Sequence, residues 1–217
     1  MSRLYTYIVK HDTGIAPNPF WGWCTLAVCT PNHQGSRVEP GDWIAGFLDK
    51  KRDYKFLYAM IVSECIHMDA YFKDKRFLNK RPRVRGTLIQ RHGDNFYSFD
   101  SQGQWQQHKT DFHKDPDLQI KDTKHPWVFV SKKFWYLGKK AHPLPEHLLS
   151  LAGGRGTRVN HDEDLVEQFK KWVSHKFREG RSALPNDIKA CGHNSKTILH
   201  SCCRQKIEKI GTATVFP

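Results

Sequence analysis

The sequence lacks a long apolar segment, and it contains few cysteines. No apolar run approaches the roughly 18 residues that a transmembrane helix needs. The first residues also lack the apolar stretch of a signal peptide. We therefore predict a cytoplasmic protein that has no membrane partner. Its six cysteines are then expected to be free thiols, because the cytosol is reducing.

Acidic residues are too few to balance the basic ones. The 217 residues include 35 Lys and Arg but 22 Asp and Glu, which gives a formal net charge of +13. An excess of this size is informative about partners rather than about fold. It favours an acidic polymer, and DNA is the expected partner. The alternative for any single basic run is a solvated surface that binds nothing.

Basic residues are most concentrated between residues 73 and 91. Apolar side chains such as Phe72 and Phe77 are interleaved with them, so the charges can lie on an anchored element. The guanidinium group of arginine matches the geometry of phosphate oxygens. This segment is therefore predicted to bind DNA phosphates. The predicted phosphate-binding residues are Lys73, Arg76, Lys80, Arg81, Arg83, Arg85 and Arg91.

The segment 11–22 is too irregular to be a strand or a helix. Its prolines remove backbone donors and its glycines tolerate unusual conformations. The flanking segments 5–9 and 24–29 are rich in β-branched and aromatic residues, which predicts strands on both sides. A rigid loop held between strands can present several functional groups together. The groups that suit a nucleobase are Asp12, Asn18, Phe20 and Trp21.

The apolar pattern predicts strands in the first part of the chain and a helix later. Predicted strands cover 5–9, 24–29, 43–47, 56–63, 127–130 and 134–137. A short helix is predicted over 68–77, and 97–126 is predicted to be a long surface excursion. Apolar residues between 165 and 177 recur at helical spacing, which predicts a helix packed on the sheet.

These elements predict an α+β fold with a mixed or barrel-like β-sheet and peripheral helices. An α/β sheet is the alternative. Because the composition changes after Gly138, we expect a base-recognition and catalytic domain over 1–140. A helical extension over 141–217 would then pack on that domain.

Cysteine and histidine residues are close together near the carboxyl end. The side-chain types suit zinc, but their spacing matches no familiar zinc pattern. The alternative is a surface helix over 195–207. We therefore predict no metal and no cofactor. The residues concerned are Cys191, His193, His200, Cys202 and Cys203.

Five ordered motifs occur within the first 140 residues. They are Asp12-x-Gly14-x-Ala16-Pro17-Asn18-Pro19-Phe20-x-Gly22-x-Cys24-Thr25-Leu26-Ala27, Gly41-Asp42-Trp43, Tyr58-Ala59-Met60, Tyr71-x-x-Asp74-x-Arg76-Phe77 and Gly93-Asp94-Asn95-x-Tyr97. Together they resemble the second family of nucleotide-modification-associated domains. The resemblance implies a role in making or handling modified DNA bases in phages and bacteria. It leaves the chemistry open.

Two further resemblances concern the fold. The turn 40–42, the long strand 56–63 and Tyr71 beside basic residues resemble the small β-barrels of the PUA, ASCH and EVE group. That group recognises modified or flipped bases. The segment 14–20 loosely resembles the water-activating loop of the uracil-DNA glycosylases, which have an α/β sheet. This second resemblance is the source of the α/β alternative.

The combined hypothesis is excision of a modified base by hydrolysis of its N-glycosidic bond. The base would first be flipped out of the stack. Asp12 is the first candidate for the carboxylate that orients water or stabilises the sugar cation, and Asp94 is the second. The amides of Asn18 and Asn95 would read the base edge or position water. Stacking is assigned to Phe20, Trp21 and Tyr97.

Two other functions stay open at this point. A reader would bind the modified base without chemistry, and would need the aromatic and basic groups but no activated carboxylate. An enzyme that acts on free modified nucleotides would have no use for the long basic run. A salt-dependent affinity for duplex DNA separates this last function from the others.

Overall fold

Strands and helices are mixed along the chain. The structure is a computed structural model that describes residues 2–28, 37–113, 115–154 and 156–189. These ranges contain the strands β1 (Leu4–Val9), β2 (Cys24–Leu26), β3 (Trp43–Leu48), β4 (Phe56–Ile61), β5 (Glu64–His67), β6 (Tyr97–Phe99), β7 (Trp105–Gln107), β8 (Trp127–Ser131), β9 (Lys133–Tyr136) and β10 (Gly180–Arg181). The helices are α1 (Met68–Lys73), α2 (Leu88–Arg91), α3 (Pro116–Thr123) and α4 (Glu163–Lys176). Short 3-10 helices cover Lys50–Arg52, Lys75–Lys80, Gly138–Lys140 and Glu146–Leu151.

The strands form two main sheets and one hairpin. The larger sheet has the order β1-β3-β4-β9-β10, in which β1 is parallel to β3 and β9 is parallel to β10. The smaller sheet has the antiparallel order β2-β8-β5, and β6 pairs with β7. Both sheets are open, and no closed barrel forms in the described part of the chain. The predicted α+β fold is confirmed, with mixed sheets and few helices.

Side chains are buried on both faces of the larger sheet. On one face, Phe47 and Phe56 pack against Phe169 of α4, with ring centroids 6.1 and 5.6 Å away. On the other face, Tyr58 lies in a cluster with Leu26 of β2 and with a phenylalanine of β8. The predicted helix over 165–177 therefore exists and packs on the sheet. The loop between β1 and β2 packs against the second of these clusters through Ala16.

The predicted helix over 68–77 is too long. α1 ends at Lys73, and the side chain of Asp74 accepts a hydrogen bond from the backbone N–H of Arg76 at 2.8 Å. That contact caps the 3-10 helix Lys75–Lys80. The basic run therefore begins on two short helical segments set at an angle, rather than on one continuous helix.

The predicted surface excursion over 97–126 is more ordered than its polar composition indicated. It contains β6, β7 and α3, and Tyr97 is fully buried. The buried carboxylate of Asp122 accepts a hydrogen bond from the Tyr97 hydroxyl at 3.2 Å and pairs with Nδ1 of His113 at 2.6 Å. The sequence did not predict this order because the segment has few apolar residues, and part of its anchoring is a polar network.

Several expectations concern residues outside the described ranges. Cys29, the cysteine and histidine cluster and the helix predicted over 195–207 all lie there. Within the described ranges, Cys24 and Cys65 are free thiols, as predicted. No helix in the described part of the chain is long and apolar enough to cross a membrane.

Candidate functional site

The loop between β1 and β2 is held firmly at its start by Asp12. The Asp12 side chain is fully buried, and its Oδ1 accepts a hydrogen bond from the Tyr136 hydroxyl at 2.5 Å. Its Oδ2 accepts from the backbone N and from Nδ2 of Asn186, at 2.8 and 2.9 Å. Burial raises the pKa of Asp12 above its ordinary value. Both oxygens of this carboxylate are therefore occupied by protein donors.

Asn18 holds the middle of the same loop. Its Nδ2 donates to the backbone oxygen of His92 at 2.8 Å, and its Oδ1 accepts from Lys80 Nζ at 2.8 Å. The backbones of Asn18 and Thr25 exchange two hydrogen bonds, which close the loop onto β2. Gly14 fits at the base of the loop because a side chain there would press on Pro185 and Phe20.

Lys80 is inside the protein, although its position in a basic run predicted a phosphate contact. Its ammonium group donates to the backbone oxygens of Asn18 and Trp23, at 3.0 and 3.1 Å, as well as to the Asn18 amide. The residue is 1% exposed, and burial lowers the pKa of Lys80 to about 8. The structure therefore gives Lys80 the role of fixing the loop.

Asp94 and Asn95 are also buried beneath the loop. Asp94 accepts from the Thr25 hydroxyl at 2.5 Å and from the Tyr71 hydroxyl at 2.8 Å. Burial raises the pKa of Asp94, and the positive charge of Lys80 opposes that rise. Asn95 Nδ2 donates to the backbone oxygens of Tyr71 and Phe77, while no donor within the described ranges reaches its buried Oδ1.

Two of the three predicted stacking residues are covered. Phe20 is 2% exposed and Tyr97 is 1% exposed, so their ring faces lie within the protein. Trp21 is half-buried, and its ring meets Phe20 edge to face at 5.5 Å. Its φ of 57° places it at a left-handed position, where the chain turns. Among these three, Trp21 is the residue that reaches the surface.

Trp23 is a surface residue that the sequence reasoning missed. Its half-buried ring packs on Phe77, with Lys132 Nζ 5.2 Å and the Arg76 guanidinium 5.7 Å from the ring centroid. The guanidinium of Arg181 lies 5.3 Å from the centroid of the neighbouring Phe20 ring. The signal available in the sequence was a second tryptophan two positions after Trp21. We call the set Trp21, Trp23, Arg76, Lys132 and Arg181 the indole surface.

Three of the predicted phosphate-binding residues are paired with carboxylates. Lys73 pairs with Asp69 at 2.7 Å, and Arg91 pairs with Asp111 at 2.8 Å. Arg76 pairs with Glu64 and Asp74, at 2.6 and 2.7 Å. These salt bridges reduce the charge available to an external phosphate.

The remaining arginines of the basic run differ in exposure. Arg81 packs on the Phe72 ring, 3.9 Å from its centroid, and donates to the Phe72 backbone oxygen. Arg83 and Arg85 are exposed and have no ion pair among the described residues. These two are the members of the predicted set that are most available to phosphate.

The comparisons identify the family. A family model described as "Nucleotide modification associated domain 2" matches residues 1–192. The chain belongs to this family. The match includes every strand and helix described above, so the loop, the buried polar groups and α4 are all parts of the family domain. No curated protein and no solved structure was found to match the chain.

Membership of the nucleotide modification associated domain 2 family associates the protein with modified nucleotides or bases. Its accessible groups at the loop are indole rings and cations, which stack on bases and attract phosphates. Its buried carboxylates, Asp12 and Asp94, are held by protein donors. As built, the site is equipped for binding. Catalysis by either carboxylate would require a rearrangement that exposes it.

Proposed function

We propose that the protein binds DNA that carries modified bases, and that a base stacks on the indole surface. The observation that supports this most directly is that the half-buried Trp21 and Trp23 reach the surface on a loop whose polar side chains are fixed from within. A rigid loop loses little conformational entropy on binding. Stacking of one base on an aromatic side chain contributes about 1–3 kcal/mol.

Cations surround the indole rings in a way that suits a phosphate backbone. Lys132 lies beside Trp23, and Arg181 lies over the ring that contacts Trp21. Arg83 is three residues after Lys80, the residue that fixes the loop. The Cα atoms of Arg83 and Lys80 are therefore at most about 11 Å apart. Binding of Lys and Arg to phosphates releases counterions, which makes the affinity depend on salt.

A second candidate is excision of the bound base by hydrolysis of its N-glycosidic bond. The observation that favours it is the burial of the Asp12 carboxyl group beside Tyr136 and Asn186, which raises its pKa, because carboxyl groups with perturbed pKa values are frequent at catalytic sites. Asn186 now occupies one oxygen of that carboxylate. Excision therefore requires this segment to move when DNA binds.

One experiment separates binding from excision. The protein is incubated with plain phage DNA and with hypermodified phage DNA. Bound DNA is measured by gel shift, and released base by mass spectrometry. We expect tighter binding to the modified DNA, weaker binding after Trp23→Ala, and no loss after Tyr54→Ala, a half-buried aromatic control elsewhere.

The same experiment defines the outcomes that change the proposal. Wild-type protein that binds neither DNA would overturn it. Base released by the wild type but not by Asp12→Asn, with binding retained, would establish excision. In that case Asp12 acts chiefly in the transition state, so its loss lowers the rate rather than the affinity.

A further inference from the structure

A cavity separate from the indole surface lies between the β6–β7 hairpin and α3. It is shallow and largely open to solvent, with a volume of about 400 Å³. The hairpin and the helix that form it belong to the segment 97–126, which the sequence predicted to be a long surface excursion. The residues that line it are Gln104, Trp105, Gln119, Ile120, Thr123 and Lys124.

The Trp105 indole forms a fixed wall of this cavity. It stacks on His67 with the centroids 5.7 Å apart and the planes at 23°, and it contacts Phe99 at 4.3 Å. Gln119 Nε2 on α3 donates to the Trp105 backbone oxygen at 2.8 Å, which ties the helix to the hairpin. A flat ring held in this way is a stacking platform for another planar group.

The other groups match the remaining parts of a nucleotide. The Gln104 carboxamide offers a donor and an acceptor, as the edge of a base requires, and Gln119, whose Nε2 already donates to the Trp105 backbone oxygen, adds its carboxamide oxygen as an acceptor. Ile120 is 71% exposed and supplies an apolar contact at the cavity. Lys124 is exposed and has no ion pair among the described residues, so its ammonium is available to a phosphate.

We propose that this cavity holds one unstacked base of a bound DNA strand, with the phosphate of that nucleotide at Lys124. The inference rests on the proposed function and adds a second nucleotide position to it. Trp23 and Trp105 both pack against the hydrophobic cluster that contains Tyr71 and Phe77, so one packed unit supports both indoles. The second base adds affinity by stacking and does not itself require a modification.

The test uses a short single-stranded oligonucleotide of mixed sequence, and the four deoxynucleoside monophosphates as a separate probe. The double variant Gln104→Ala with Lys124→Glu changes two cavity residues and spares the packed Trp105 ring. The matched control is Gln106→Ala with Lys171→Glu, whose exposed residues lie outside the cavity. We expect the cavity variant to bind the strand at least about fivefold more weakly, since the Gln104 contact with the base edge and the phosphate contact are both lost. The control is expected to bind as the wild type does.

A direct readout uses fluorine NMR of protein that carries 5-fluorotryptophan. The Trp105 resonance is identified by its loss in Trp105→Phe, and we expect it to shift when the oligonucleotide is added. Equal strand affinity in the cavity variant and its control, with no shift at Trp105, overturns the cavity site and leaves the indole surface intact. A shift with monophosphates but not with the strand overturns the strand assignment. Failure of the wild type to bind either probe overturns the cavity site alone, because neither probe carries a modified base; the indole surface is judged by the phage DNA experiment.

Discussion

The structural role of Lys80 differs from the role that its neighbours in the sequence predict. It stands among arginines and lysines, yet its ammonium is bound to acceptors of a loop 62 positions earlier in the chain. A buried charge is tolerated when it is fully hydrogen-bonded, and Lys80 meets three acceptors. Local composition predicts the charge of this residue, but its partners are set by the tertiary fold.

The first prediction concerns Lys80 and pH. The pKa of Lys80 is about 8 in the folded protein and 10.5 in the unfolded chain, so the unfolded state binds more protons between these values. The stability of the wild type should therefore rise with pH across that window, relative to Lys80→Met, by up to about 3 kcal/mol. Denaturant unfolding of both proteins at several pH values measures this. A constant difference would contradict it, and Lys171→Met, at an exposed position, is the control.

The second prediction concerns the ring of Trp21. Trp21→Ala should reduce the preference for modified over plain DNA by about 1–3 kcal/mol, because a stacking face is lost. Trp21→Phe should keep most of the preference. Neither change should alter the dependence of affinity on salt, which reports phosphate contacts. Competition binding at several salt concentrations measures both quantities. An unchanged preference in Trp21→Ala would exclude this ring from base recognition.

At the scale of elements, the arginines that follow the 3-10 helix Lys75–Lys80 give the third prediction. Arg83→Glu combined with Arg85→Glu should lower the slope of log affinity against log salt by about two, since each phosphate contact contributes about one. The matched control reverses Lys171 and Lys176 on α4. If both double variants change the slope equally, the affinity depends on net charge rather than on this segment.

The packing of α4 gives the fourth prediction. Phe169 is fully buried between Phe47 and Phe56, so Phe169→Ala should lower the free energy of unfolding by about 3–5 kcal/mol. The neighbouring Gln168 is exposed, and Gln168→Ala should change stability little. Thermal or denaturant unfolding compares the two. A small effect of Phe169→Ala would mean that α4 is not part of the same cooperative core.

The elements that the sequence predicted well are those with a strong apolar or conformational signal. β3, β4 and α4 follow from apolar pattern, and the irregular loop follows from its prolines and glycines. The strands and the helix within 97–126 were not predicted, because Asp122 and His113 are polar residues that are buried in the folded protein. The neighbouring sequence does not indicate whether a polar side chain is buried. The cavity at Trp105 and the burial of Asp12 could therefore be identified only from the structure.

At the scale of the whole molecule, rigid packing and charge act together. Tyr136, Asn186 and Lys80 fix the loop from within, while a net charge of +13 favours encounter with a polyanion. The buried carboxylates of Asp94 and Asp12 accept hydrogen bonds from Tyr71 and Tyr136. We propose that the charges supply affinity without selectivity and that the indole surface distinguishes one base from another.

The most direct test is an anisotropy titration with two DNA duplexes that differ by a single hypermodified pyrimidine. The wild type and the double variant Trp21→Ala with Trp23→Ala are each titrated at one salt concentration. The account predicts that the wild type binds the modified duplex more tightly, and that the double variant binds both duplexes with equal, weaker affinity. Equal affinity of the wild type for the two duplexes, or a preference retained by the double variant, would contradict it.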